Sequence, residues 1–443
     1  MQTTPDGRSD LIRVTGAATL GGASVVVLAA DGNWNPVTRY TILTSGSRVG
    51  TFGGVTSNFA FLDPTLNYIG QDVILSLTRN NVDFANVGLT PNQQASGGAI
   101  DRANTGTLYN AVVQLDAPTA RNAFDQLSGE LHASVKSAAI EDSRFIREAS
   151  LDRARQSLGG IATADDVSGR GGLWARALHS EGRIATDGNA GRIDRDISGL
   201  FIGADTQVDD STRVGVVGGY TRSQVDLDAR ASSADIDTYH LGLYGGKQWG
   251  ALGLRGGASY SWSEVDTRRN VAFPGFSDTL RAEYDAKTAQ VFGELGWTVP
   301  AGSGSLEPFV GLAHVRLKTD GFTENGGVAA LRAQGDTTST TFSTLGVRGN
   351  AGAVSLGGVQ ATVRGMVGWR HAFGDTTPTT AAAFANQSAF IVAGVPIGKD
   401  VAVFEGGLDF ALQRNLTLGV SYSGQVGNGV QDHGVRANLL WKF

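Results

Sequence analysis

The residues best equipped for chemistry are scattered along the chain. Six histidines, His132, His179, His240, His314, His371 and His433, fall without metal-ligand spacing and read as solvated or lumen residues. No Gly-x-Ser-x-Gly elbow, phosphate-binding loop or His-Glu-x-x-His occurs. The absence of cysteine excludes thiolate metal sites and disulfide scaffolds, and leaves nothing to lock a segment before it crosses a membrane. The expectation is therefore no enzyme, no metal and no cofactor. What recurs instead is charge at fixed parity: Arg255, Glu294, Arg364, Arg370, Glu405, Asp409 and Arg436 each stand on the polar face of an alternating segment. Ion pairing inside a wet, enclosed space is the chemistry such residues can do.

The elements that must position those charges are strands. In the last segment Val435, Ala437, Leu439, Trp441 and Phe443 share one parity, and Arg436, Asn438 and Lys442 share the other. The same split sets Leu252, Leu254, Ala258, Tyr260 and Trp262 against Arg255, Ser259, Ser261 and Ser263. It returns with Val363, Val367 and Trp369 against Arg364 and Arg370, and with Phe404, Leu408 and Phe410 against Glu405 and Asp409. About twelve such segments begin near residues 172, 194, 211, 235, 251, 280, 304, 338, 355, 400, 415 and 431. A soluble two-sheet sandwich also alternates. The aromatics near segment ends, Trp249, Trp262, Trp297, Trp369, Tyr422 and Trp441, favour a membrane barrel, as do the polar intervals Thr267 to Thr279 and Gly321 to Asp336, which suit long outer loops. No run of about 18 to 20 apolar residues could form a transmembrane helix. A membrane-spanning reading must therefore be a closed barrel, the other structure that satisfies every backbone polar group in lipid.

At 443 residues the chain has room for a barrel and something more. The 62 glycines sit within short apolar and aromatic alternations, which is a β signature, and the net charge of −6 argues against nucleic acid as a partner. Residues 1–84 read as short strands separated by Gly, Asn and Asp, and 85–118 as a junction with a weak helical stretch at 108–115. The stretch from Gly16 to Ala30 has the size of a signal-peptide core but suits a buried strand better, with Met1 then a truncated start. From Asp116 the period becomes helical, with Asp116 as N-cap, Pro118 in the first turn and Phe124, Leu127, Leu131, Val135 and Ala138 on one face. One long helix is expected to about Leu158, ended by Gly159-Gly160, its other face carrying Arg121, Glu130, Lys136, Glu141, Arg144 and Glu148 among further charges. The inward strand charges either pair with that face or line a wet lumen; the sequence leaves both open.

The run Leu416-Thr-Leu-Gly-Val-Ser-Tyr-Ser-Gly-Gln425, followed by Asp432-His-Gly-Val-Arg-Ala-Asn-Leu-Leu-Trp-Lys-Phe443, resembles the end of the type V autotransporter β-domain. Gly172-Leu-Trp-Ala-Arg176, Leu306-Glu-Pro-Phe-Val310 and Gln126-Leu-Ser-Gly-Glu-Leu-His-Ala-Ser134 support the likeness. Upstream, Tyr40-Thr-Ile-Leu43, Gly50-Thr-Phe52 and Leu75-Ser-Leu-Thr-Arg79 resemble the last rungs of a pertactin-like passenger, its autochaperone region. The resemblance implies an all-β-dominated architecture: a transmembrane antiparallel 12-stranded barrel (170–443) plugged by a linker α-helix (119–159), preceded by the final rungs of a right-handed parallel β-helix (1–84) and a junction (85–118). It implies a Gram-negative outer-membrane translocator that exports and displays its own passenger. The barrel-assembly machinery, which would read Val435, Ala437, Leu439, Trp441 and Phe443, periplasmic chaperones, outer-membrane lipid and lipopolysaccharide are the implied partners. Some members cut passenger from barrel through an asparagine amide attacking its own carbonyl. Asn122-Ala123 lies at the corresponding offset, though the intervening residues differ, with Glu294 or Glu405 as the required acid. A plugged porin-like channel and a barrel-anchored enzyme are the alternative readings.

Overall fold

The protein is described by a computed structural model that covers residues 2–3, 10–29, 37–157, 171–356 and 358–443. Twelve long strands dominate: β1 (Gly171–Ile184), β2 (Ile193–Asp209), β3 (Thr212–Leu227), β4 (Ser232–Trp249), β5 (Leu252–Phe273) and β6 (Phe276–Trp297). They continue with β7 (Gly304–Thr319), β8 (Asp336–Leu356), β9 (Val359–Gly374), β10 (Asp400–Gln413), β11 (Leu416–Gly427) and β12 (Val430–Lys442). Each start lies within four residues of the position that alternation predicts. Neighbours in sequence pair antiparallel throughout. The sheet closes where β12 pairs with β1, from Val430↔Ile184 to Lys442↔Gly172. Closure leaves no strand edge to lipid, the condition for spanning a bilayer with strands.

The wall is inverted relative to a soluble sheet. Leu241, Leu243, Leu254, Trp262, Val291, Leu312, Leu345 and Val367 point outward and are exposed, while Arg255, Glu294, Glu307 and Arg370 are buried inside. Along β5 the outward apolar face runs from Leu252 to Trp262. Ten steps of ~3.3 Å at a tilt of ~40° make a band about 25 Å tall, the height of a bilayer's hydrocarbon core. Beyond Trp262 the outward positions turn to Glu264, Asp266 and Arg268, so β5 projects past that band. This corrects the reading of Thr267 to Thr279 as a long loop. Phe273 pairs with Phe276 across a tight turn whose Gly275 has φ +77°, and the polar residues there are strand positions, Arg268, Ser277 and Thr279 facing water and Thr267 and Arg269 facing inward. The interval from 321 to 335 does leave the wall. Its strands Phe322–Thr323 and Leu331–Ala333 join Thr379–Phe384 and Phe390–Ala393 in a separate four-stranded sheet over one mouth.

The helical stretch is longer and more broken than its periodicity predicts. Among the described residues six helices run in series: α1 (Phe84–Val87), α2 (Pro91–Ala103), α3 (Thr107–Val113), α4 (Ala117–Leu127), α5 (Leu131–Asp142) and α6 (Arg144–Ser157). Asp116 caps α4 by accepting from Thr119 N at 2.8 Å, with Pro118 in the first turn. The expected single helix breaks at Gly129, whose φ of +70° a helix interior cannot hold, and Gly159-Gly160 lies outside the described residues. The polar stretch before it hides α2, which Thr90 caps through Gln93 N at 3.2 Å and Asn104 ends in the left-handed region.

Upstream, Ile12–Thr19 pairs in parallel with Val37–Val49, and Ser24–Ala29 in parallel with Gly54–Ser57. Asp72–Arg79 then pairs antiparallel with both Val37–Val49 and Leu62–Ile69. Most of the stretch from Gly16 to Ala30 thus lies in two strands, with Val25 and Val27 buried and Ala30 outside the described residues. The Phe84 ring packs against those of Phe61, Tyr109 and Phe124 at 4.3, 5.2 and 6.2 Å, joining these strands to α1, α3 and α4 in one apolar core.

Candidate functional site

The lumen is the site, and α6 fills its lower half. At one end of the barrel the two chain ends of the wall meet, Gly171 and Phe443 exchanging backbone hydrogen bonds of 3.1 Å. The C-terminal turns of α6 lie near that end. Arg153 donates through Nε and Nη2 to Asp205, the latter at 2.8 Å. Asp205 also accepts from Arg213 at 2.7 Å and from the Tyr244 hydroxyl at 3.1 Å, and that hydroxyl receives Trp174 Nε1 at 2.7 Å. Gly203 makes room for the indole: a Cβ there would sit 2.5 Å from a Trp174 ring carbon. Arg176 reaches Asp152 at 2.8 Å, and Arg155 reaches Glu294 at 3.2 Å.

Higher up, α6 and α5 keep pairing with the wall. Arg144 and Arg195 share Asp432, and Arg195 also meets Asp142 at 2.7 Å. Glu141 accepts Arg370 at 2.8 and 2.9 Å and Gln425 at 3.1 Å. Arg436 joins Glu148 to Glu405, and Arg364 bridges Glu405 and Asp409, the latter at 2.9 Å. Arg255 holds Glu307 through two bonds of 2.6 and 3.0 Å, and Arg348 ties Glu307 to Glu294. Ion pairs buried this deeply are weak evidence for stability but strong determinants of position, because displacing one partner leaves the other charge uncompensated.

Arg255, Glu294, Arg364, Arg370, Glu405, Asp409 and Arg436 therefore sit inside the barrel. Some of them meet the helix, and Arg255, Arg364 and Asp409 meet wall partners instead. Sequence reading missed Arg195, Asp205, Glu307, Arg348 and Asp432, although the same alternation carries them: Asp432 has the parity of Arg436. Val435, Leu439, Trp441 and Phe443 are exposed on the outer wall, with Ala437 in the same ladder.

The other mouth is covered. Glu324, from the segment after β7, accepts Arg269 Nε and Nη2 at 2.6 and 2.9 Å and the Leu331 amide at 2.9 Å. His132 of α5 adds a ring nitrogen at 2.8 Å and stacks on Phe322 at 3.9 Å. Burial alone would raise the Glu324 carboxyl; the Arg269 guanidinium and the His132 hydrogen bond outweigh it and hold the carboxyl down at about 2. Burial depresses His132, so its neutral ring donates to Glu324. Lys136 meets Asp336 at 2.6 and 2.7 Å and the Thr379 carbonyl at 2.7 Å. The Asn92 side chain pairs both ways with the Ala393 backbone, at 2.8 and 2.9 Å. Gly394 lets the covering strand touch α5: a Cβ there would lie 2.7 Å from the Ala133 carbonyl oxygen.

Asn122 is exposed on α4 near this covered mouth, its side-chain oxygen accepting Gln126 Nε2 at 2.5 Å. Glu294 and Glu405 are engaged with arginines around α6, at the far end of the helical series, so the structure does not bring them to Asn122. On the outer wall His179 Nε2 lies 3.6 Å from both a Glu181 and an Asp196 oxygen. Spacing could not reveal this exposed trio, because Asp196 arrives from β2 opposite Glu181.

A closed antiparallel barrel with an apolar outside, a charged inside and a helix threaded through it is a membrane translocator architecture. A family model of the autotransporter beta-domain matches residues 173–423. Two proteins of Serratia marcescens, both called extracellular serine protease, are each 32% identical; one alignment spans 100% of this chain and 47% of the relative, the other 91% and 43%. The chain thus spans about half the length of the curated relatives it matches. Outer membrane protein B of Rickettsia japonica is 20% identical over 71% of this chain and 22% of its own length. The solved translocator domain of autotransporter NalP from Neisseria meningitidis shares the fold, with a TM-score of 0.55 at 18% identity, covering 70% of this chain and 99% of that one. The chain belongs to the autotransporter β-domain family. Its barrel is a translocator of type V secretion in the Gram-negative outer membrane, with its passenger at the cell surface.

Proposed function

We propose that the barrel has carried residues 1–84 and everything upstream of them through its own lumen, and that the whole protein's passenger is a serine protease. One observation supports export in cis: the path of the chain. The helical series starts at the covered mouth and descends through the lumen, so that β1 begins at the opposite end, beside Phe443. A chain whose upstream part sits beyond one mouth and whose first strand starts at the other has been threaded. The parallel pairings of Ile12–Thr19 and Ser24–Ala29 support reading 1–84 as final passenger rungs, with the antiparallel strands closing the stack. Rungs bury their apolar faces against folded neighbours, so stacking outside opposes return without nucleotide hydrolysis. The C-terminal ladder ending in Phe443 is the segment offered to the barrel-assembly machinery, with periplasmic chaperones holding the chain before assembly and lipopolysaccharide around the outer wall afterwards.

The test places an epitope tag at residue 1 behind a secretory signal and treats intact cells with protease. Loss of the tag while a heat-modifiable barrel fragment survives supports export, and a protected tag in an assembled barrel refutes it. Labelling of the full-length passenger by a fluorophosphonate supports the protease reading; a passenger left unlabelled sinks that part alone.

A further inference from the structure

Beside α6 the lumen keeps a cavity of about 160 Å³ whose lining is electrically unbalanced. Seven arginines and four carboxylates border it. Six of the arginines have acidic partners on the wall or on the helix. Arg144 meets Asp432, Arg155 meets Glu294, Arg348 meets Glu294 and Glu307, Arg364 meets Asp409, Arg370 meets Glu141, and Arg436 meets Glu405. The four bordering carboxylates, Glu148, Asp152, Glu294 and Glu405, are all consumed by these arginines or by Arg176. Arg147 is the exception. It is 8% exposed, and among the described residues no carboxylate forms an ion pair with it. Its Nη1 donates to the Gln290 side-chain oxygen at 2.7 Å, an orientation fixed because Gln290 donates in turn to the Ser143 carbonyl at 2.8 Å. Its guanidinium lies 5.7 Å from the centre of the Phe342 ring, which also faces Arg370 at 4.8 Å. An amide oxygen and a ring face supply partial charge, and the carboxylates that attract Arg147 through space, Glu148 and Glu141, are already paired with Arg436 and Arg370. A buried guanidinium with spare donors beside an open cavity calls for an anion.

We infer that this cavity is a binding site for a small free oxyanion of the sulfate or phosphate class, held by Arg147. The planar guanidinium presents paired donors matched to such an ion. Lipid headgroups are excluded as its source, since the cavity lies between α6 and the inner face of the wall. The site depends on the helix being seated, so the anion binds the filled barrel and not the unfolded chain, and stabilises it by mass action.

The test is the midpoint of heat modification of the full chain in micelles, with 10 mM sodium sulfate against sodium chloride of equal ionic strength. The wild type is expected to rise by about 2–4 °C in sulfate. The Arg147→Gln variant should match or exceed the wild type in chloride, since it removes an uncompensated charge, and should not respond to sulfate. Arg147→Lys should keep a reduced response. An unresponsive wild type overturns the inference, as does an Arg147→Gln variant that responds equally or melts well below the wild type in chloride.

Discussion

Asp205 gives the sharpest test of how the helix is held. Its side chain is fully buried and receives Arg153, Arg213 and the Tyr244 hydroxyl together. Removing it in Asp205→Ala strands the Arg153 guanidinium and takes one partner from Arg213. Arg213 is 13% exposed and can turn to water at the barrel end, but Arg153, at 3%, cannot. Breaking one partner out of a buried pair costs about 3–5 kcal/mol, and the escape open to Arg213 puts the expected loss near the lower bound, about 3 kcal/mol. The double variant Asp205→Leu with Arg153→Met replaces the pair by apolar groups and should return to within about 1 kcal/mol of the wild type. Urea unfolding in micelles, followed by the fluorescence of Trp174, two hydrogen bonds away from Asp205, reads both. A loss below about 1 kcal/mol for the single variant, or a double variant less stable than the single, would show that the pair does not seat α6 and that the reasoning is wrong.

Three further outcomes follow from the same structure. Below pH 6.5 the covering segment 320–335 should loosen. His132, depressed by burial, and Glu324, held at about 2, both lend stability that is complete above their ordinary values of 6.5 and 4.5 and fades as pH falls through them. Hydrogen exchange there, corrected for intrinsic rates, should speed up between pH 7.5 and 5, a window that reads His132 alone of the two, and unchanged protection refutes its contribution. Asn122 should remain joined to Ala123, since the residue lies within a helix and its side-chain oxygen, among the described residues, accepts from Gln126. Intact mass of the purified chain should equal that of Asn122→Ala, and a fragment beginning at Ala123 would overturn this. Deleting residues 117–157 should raise single-channel conductance several-fold by emptying the lumen; an unchanged value would mean that the helices lie elsewhere.

The sequence exposes the barrel more readily than its contents. Strand alternation is written by a solvent boundary: Leu254 and Arg255 must part because one meets lipid and the other does not. That boundary continues for ten strands and more, so starts and parity are legible to a few residues. The helical series has no such boundary, since α5 is buried on every side and carries almost no apolar asymmetry. Its break at Gly129 and the polar helix α2 were consequently not visible. The partners of the inward charges depend on shear and on the height at which α6 sits, so Arg370 with Glu141 and Arg153 with Asp205 arise across 229 and 52 residues with no local signal. The sheet over the mouth is assembled from two distant loops, neither of which alternates for long enough to read as strand.

The seam between β12 and β1 joins the last strand of the wall to its first. A partial barrel therefore has two open edges until β12 is in place, and cannot seal against lipid before then. The position of the seam makes closure of the ring depend on β12. A truncated copy, however well its early strands pair, is left unable to close a ring around the segment that would pass through it.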